Sequence, residues 1–273
     1  MFERQVKVLR IYNQNIWGNM KPDQCIANRN LLIRSLIAKY APDVCGFQEC
    51  NPKTSRAGDT PIVSLMEDAY CEVCPENADR NFTPLFYHRK RISLIDGGWF
   101  LFDGKNDKNS KSVTWAILEE KISGKRFAAL SVHFWWKWES EEDDAQRRAN
   151  AAQLTDFCHT LSEKYDVPMF IMGDLNSGIG SHQGEGAYRE MLRLGMLDTR
   201  DLAKESTSML TAHAYPVLNE EGKYVDGGEP IKTLDYIFCF SQMPSSVDGF
   251  YVLTERDALD SSDHCPLLLD VRL

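Results

Sequence analysis

The chain has 273 residues, 43% apolar and 11% aromatic, with 31 Lys+Arg against 40 Asp+Glu and a formal net charge of −9. That apolar content fills a sizeable core and excludes a disordered chain. The acid surplus weighs against a protein that must grip a long polyanion through many phosphate contacts. Charges among the first seven residues, no apolar leader core and no run of about 18 apolar residues predict a soluble, cytoplasmic protein with no membrane segment. Eight cysteines in a chain of this length read as free thiols. Cys45, Cys158, Cys239 and Cys265 lie in apolar segments and are expected in the core. Cys71 and Cys74 form the one C-x-x-C pair, and with no second pair and no nearby H-x3-H a structural zinc is not expected.

In chain order, VKVLRIYNQN (6–15) has strand length and is followed by a helical stretch at about 24–40, apolar on one face. DVCGFQEC (43–50) is a strand and 60–70 a helix. SVTWAILEE (112–120) and RFAALSVHFW (126–135) form a hairpin turning about Gly124. A long helix over 142–164, the strand PMFIMGDLN (168–176) and a helix over 185–194 come next. The strands KTLDYIFCF (232–240), GFYVLTE (249–255) and CPLLLDVRL (265–273) close the chain. Strands outnumber helices, and the hairpin argues against a purely parallel sheet, so two packed mixed sheets flanked by helices are predicted. Without a repeat or a long linker, 1–273 reads as a single domain. Basic clusters lie at His88-Arg89-Lys90-Arg91, at Lys105, Lys108 and Lys111, and at Arg147-Arg148; the plain reading of each is a solvated face, which is preferred for the lysines.

Chemistry-bearing residues stand where these runs end. Asn15 closes LRIYNQN, Glu49 closes DVCGFQE, His133 closes LSVH, and Asp174 and Asn176 close FIMGDLN. Asp235 opens DYIFCF, and Asp263 and His264 immediately precede CPLLLDV. Each alone is an ordinary turn residue. Together, four carboxylates, two amides and two imidazoles suit a hard divalent cation bound through oxygen and a phosphate beside it.

In this order the segments resemble the endonuclease/exonuclease/phosphatase superfamily, from about residue 6 to 272. The resemblance rests on N-x-W-G at Asn15 to Gly18, Gln48-Glu49, S-V-H at His133, G-D-L-N at 173–176, L-D-Y-I-F at 234–238 and S-D-H-C-P at 262–266. G-G-W-F at 97–100, T-W-A at 114–116, R-R-A-N-A at 147–151 and T-A-H-A-Y at 211–215 are similar to its compact bacterial branch. The resemblance implies a four-layer α/β/β/α sandwich of DNase I type with the site where strand ends of both sheets meet. It implies Glu49 as the principal ligand of Mg²⁺, or of Mn²⁺ in its place, supported by Asp263 and the Asn15 amide. It further implies Asp174 as the residue that orients and deprotonates water, held by Asn176, with His264 and His133 on phosphate oxygens and Asp235 orienting a histidine. Arg147 resembles a helix arginine that faces this site, and His213 a loop residue that lines it. Some DNA-repair relatives carry an acid two positions after the first asparagine; Trp17 stands there in this chain, which counts against a repair nuclease.

Trp135, Trp136 and Trp138 with Lys137 follow His133 and can stack on a base or a sugar face, or pack as an apolar loop on the long helix. The reading is a metal-dependent phosphoesterase acting on a small organic or sugar phosphate. A Mg²⁺-dependent nuclease on DNA or RNA is the alternative, disfavoured by the net charge, and a non-catalytic binding protein on the same fold is a third. No lipid anchor motif is present.

Overall fold

A computed structural model describes residues 8–18, 26–57, 60–213, 217–218, 224–225 and 230–273. Strand β1 (Leu9–Asn15) is followed by helix α1 (Ile26–Tyr40), β2 (Val44–Gln48), α2 (Ile62–Met66), β3 (Tyr70–Glu72), β4 (Leu85–His88) and β5 (Ile92–Leu101). Next come β6 (Ser112–Glu120), β7 (Arg126–His133), α3 (Glu141–Tyr165), β8 (Pro168–Asp174) and α4 (Gly186–Arg193). Then follow β9 (Leu197–Asp198), α5 (Thr199–Leu202), β10 (Ala203–Ser206), β11 (Val217–Leu218) and β12 (Tyr224–Val225). The last elements are β13 (Asp235–Ser241), β14 (Ser246–Val252), α6 (Arg256–Ser261) and β15 (Leu267–Arg272).

Two large mixed sheets result. One has seven strands in the order β10-β14-β15-β1-β2-β4-β3, the other six in the order β5-β6-β7-β8-β13-β9. β1–β2 and β7–β8 run parallel, while β6–β7 is the antiparallel hairpin predicted about Gly124, which takes φ 73 at its turn. The central strands read as continuous apolar runs because both of their faces are buried. In β8, Phe170 and Met172 enter the core between the sheets, while Met169 and Ile171 pack outward against the α3 side. In β15, Leu267, Leu269 and Val271 point between the sheets and Leu268 outward toward α1. Three cores thus separate four layers, the α/β/β/α sandwich expected from the sequence.

Helix α3 begins with Glu141, Glu142, Asp143 and Asp144, a placement of negative charge that complements the helix dipole. The helix predicted over 60–70 is a five-residue α2, because Tyr70 onward is taken into the edge strand β3. β5 is absent from the sequence-based strands: its Asp96-Gly97-Gly98 interior lowers strand propensity, and pairing with β6 overrides that. Cys45, Cys158, Cys239 and Cys265 are buried as free thiols. Among the described residues no helix is long and apolar enough to cross a membrane.

Candidate active site

The strand registers set the predicted residues side by side. Asn15 is opposite Gln48 across β1–β2, and Glu49 follows at once. In the other sheet His133 is opposite Asp174 across β7–β8, and Asp174 is opposite Asp235 across β8–β13. Ser262 Oγ donates to Asn15 O at 2.6 Å, which fastens the turn carrying Asp263 and His264 to the end of β1.

Three residues around the resulting cleft, Trp17, Glu49 and Asn176, have φ of 48°, 54° and 47°. Non-glycine residues take this left-handed conformation only where the surroundings hold them, and such strain gathers at functional sites. A Cβ at Gly18 would collide with Glu49 O and Ser55 Oγ, so the glycine of N-x-W-G lets the two loops meet.

Asp174 is the hub. Its Oδ1 accepts from Asn176 N at 2.7 Å and its Oδ2 from Asn15 Nδ2 at 2.9 Å. The same Oδ2 lies 3.5 Å from His133 Nε2 and 3.9 Å from His264 Nε2. Burial pushes the Asp174 carboxyl up, but His133, His264 and the Asn176 N–H outweigh it and hold the group well below the usual carboxylate range. His264 Nδ1 meets Asp235 Oδ2 at 2.8 Å, and Thr211 Oγ1 donates to the same oxygen at 2.7 Å. Burial pulls the His264 imidazole down, yet Asp235, Asp263 and Asp174 overcome it and raise the group to about 10, so it is a cation at neutral pH. Burial raises the Asp263 carboxyl to about 6, with Glu49 adding to the rise and His264 opposing it.

Asp174, Asp235 and His264 are near enough together to hold an ion. His264 Nδ1 and Asp235 Oδ2 are spent on each other, however, and Asp235 does not reach the cleft. That trio is a row of alternating charge, hydrogen-bonded between Asp235 and His264 and 3.9 Å apart between His264 and Asp174. Glu49 and Asp263 both line the cleft, where the charge of Glu49 acts on Asp263. Two oxygen donors with surplus negative charge on an open wall fit a hard divalent cation.

The structure corrects several placements. The Asn15 amide oxygen accepts from Trp17 N at 2.9 Å, and its amide nitrogen faces Glu49 and Asp174 and braces the two carboxylates. His133 is fully buried beneath the cleft floor and cannot reach a phosphate there. Its Nε2 is 3.1 Å from Asn176 Nδ2, and burial, followed by the charge of Lys111, lowers its pKa. Arg147 is 1% exposed and donates to the backbone oxygens of Lys137 and Gln183, which makes it a brace between two segments rather than a wall of the site. Trp135 is buried with its Nε1 donating to Asp143 Oδ1 at 2.8 Å; Trp136 and Trp138 line the cleft instead. His213 is buried off the cleft, its backbone N–H donating to Asp263 O at 2.9 Å.

Lys111, read from the sequence as solvated, is 2% exposed and lines the cleft. Burial lowers its ammonium to about 8, against the pull of Glu49 and Asp174. The hairpin register held the signal: Val113 pairs with Val132, which sets Lys111 beside the end of β7. The whole cleft encloses about 600 Å³, with Trp136 and Trp138 at its rim, 40% and 49% exposed.

Residues 13–264 match the Endonuclease/Exonuclease/phosphatase family. The chain belongs to that family. Endonuclease/exonuclease/phosphatase enzymes hydrolyse phosphate esters, and this chain is a phosphoric ester hydrolase of that kind. No curated protein matches the sequence. Among solved structures, the family member from Bacteroides vulgatus is similar at 20% identity and TM-score 0.72, covering 98% of this chain and 99% of that one. A mannosyl-6-phosphatase of Bacteroides thetaiotaomicron is 16% identical with TM-score 0.71, over 97% of this chain and 100% of its own. The D. rerio TDP2 complexed with single-strand DNA product is 18% identical with TM-score 0.67, over 97% and 99%. At these identities the likeness is one of fold.

Proposed function

We propose that this chain, one catalytic domain over its length, is a divalent-metal-dependent hydrolase of small organic or sugar phosphates that attacks phosphorus with water. The observation that carries the reading is the setting of Asp174 Oδ2, held by Asn15 at 2.9 Å with the His264 imidazolium 3.9 Å away on the cleft side. A carboxylate that stays ionised next to a cationic donor can orient a water and take its proton while the donor faces developing charge on phosphate.

Glu49 and Asp263 would hold the metal, Mg²⁺ by their chemistry with Mn²⁺ able to replace it. When bound, such an ion neutralises phosphate charge and favours the ionised form of a water. Asn15 keeps Glu49 and Asp174 apart at a fixed spacing. Asp235, itself held by Thr211, keeps His264 charged and oriented. Asn176 fixes Asp174 through its N–H and lines the cleft. Trp136 and Trp138 offer aromatic faces to an organic group, and Trp136 is fixed through Nε1 to Asp107 Oδ2 at 2.7 Å.

The net charge of −9 and a cleft of about 600 Å³ favour a small substrate, as does the similar mannosyl-6-phosphatase. Lys108 and Lys232 on the cleft and the DNA-bound relative support the nuclease as second reading. A non-catalytic protein fits less well, since Glu49, Asp174, Asp263 and His264 all line one cleft. The test is hydrolysis of p-nitrophenyl phosphate and bis-p-nitrophenyl phosphate with Mg²⁺ and with EDTA, beside plasmid nicking. Metal-dependent turnover without nicking supports the small-ester reading, nicking supports the nuclease, and inactivity in all three assays supports the binding protein.

A further inference from the structure

Lys111 is a buried cation that serves no ion pair among the described residues. Its nitrogen lies 2.9 Å from His133 Nε2 and 3.2 Å from His133 Nδ1. The two ring nitrogens direct their lone pair or N–H outward in the ring plane and away from each other. A group nearly equidistant from both therefore stands over the face of the ring and takes no lone pair from it. Among the described residues Lys111 makes no ion pair, and Glu49, Asp174 and Asp107 act on it only through space. The backbone, not the ammonium, fixes the residue: Lys111 N donates to Asn106 Oδ1 at 2.9 Å, and Lys111 O accepts from Phe102 N at 3.0 Å. A desolvated ammonium on a cleft wall, over a ring face and with no carboxylate partner among the described residues, is costly unless an anion meets it.

The sheet order decides which anion. Asp174 ends β8, with β7 on one side and β13 on the other. On the β7 side Lys111 rides above His133; on the β13 side His264 rides above Asp235. A phosphate seated over Asp174 is thus flanked by two cations. A diester offers two non-bridging oxygens and one charge, whereas a monoester offers three and carries close to two charges at neutral pH.

We propose that Lys111 is the subsite for the third non-bridging oxygen of a phosphomonoester, making this cleft selective for a terminal phosphate over a diester. The inference rests on the phosphoester-hydrolase reading of the same cleft and makes Lys111 a substrate-binding residue.

The experiment titrates inorganic phosphate and dimethyl phosphate into wild type, Lys111→Met and Lys111→Arg at neutral pH in EDTA, by calorimetry. Wild type should bind inorganic phosphate at least about tenfold more tightly than dimethyl phosphate. Lys111→Met should lose about tenfold or more toward inorganic phosphate and little toward dimethyl phosphate, while Lys111→Arg keeps most of the selectivity. Equal loss toward both probes in Lys111→Met, or a wild type that does not discriminate, overturns the subsite. Should Lys111→Met fail to fold, the wild-type comparison alone decides. Failure of the hydrolase reading has a different signature: intact, selective phosphate binding with no metal-dependent turnover of either p-nitrophenyl ester.

Discussion

The Asn15 amide at the end of β1 donates to Asp174 at the end of β8 at 2.9 Å, one side-chain bond between the two sheets at the point where the cleft opens. Gln48 adds a second tie just below, donating from Nε2 to Asn13 Oδ1 at 2.9 Å and to Ser131 Oγ at 3.1 Å. The site is therefore built on strand ends locked to each other, which gives it a rigid frame.

Asp174→Asn keeps the shape of the hub but removes its charge and its ability to accept a proton. Turnover should fall by about a thousandfold or more, and the melting temperature should drop because the new amide nitrogen faces the Asn15 or Asn176 N–H, while inorganic phosphate binding changes little. Steady-state rates at saturating Mg²⁺ beside a phosphate titration check this; a near-wild-type rate contradicts the role given to Asp174.

Glu49→Ala removes a carboxylate that is partly exposed on the cleft wall. The Mg²⁺ concentration for half-maximal rate should rise by about ten- to a hundredfold. An unchanged metal titration curve would move the ion elsewhere.

The His264–Asp235 pair makes stability depend on pH. His264 is raised from 6.5 to about 10, so its contribution is complete below about pH 6.5 and is lost as pH rises toward 10. The melting temperature of wild type should decline across that window, and Asp235→Asn should flatten the decline. Parallel curves for the two proteins would show that the pair is not the source.

Adjacent arginines should behave differently. Arg147 is buried and bonds two backbone oxygens, whereas Arg148 is half exposed and pairs with Asp144 at 2.5 Å. Arg147→Ala should cost about 2–3 kcal/mol by stranding buried acceptors, and Arg148→Ala about 0–0.5 kcal/mol. Denaturant titration of both variants distinguishes them.

The sandwich was legible because buried strands print continuous apolar runs, and the site's location was legible because Asn15, Glu49, His133, Asp174 and Asp235 interrupt those runs at their ends. Depth was not legible. Within its lysine-rich turn Lys111 differs from Lys105 and Lys108 in one respect, the hairpin register that sets it beside the end of β7, and the turn closed by Asn106 buries it while the others stay at the surface or the rim. The same holds for His133, a strand-end residue like Asp174 that the packing of Lys111 and Asn176 covers over. Which tryptophan faces the cleft depended on Asp143, eight residues along the chain in α3, capturing Trp135.

The most direct test of the central claim is hydrolysis of p-nitrophenyl phosphate in water enriched in heavy oxygen, followed by phosphorus NMR, with Mg²⁺ and with EDTA. Attack of water on phosphorus in this cleft predicts heavy oxygen in the released phosphate, at a rate that requires the metal and is lost in Asp174→Asn. Label in the phenol, or a rate unaffected by EDTA and by Asp174→Asn, would contradict it.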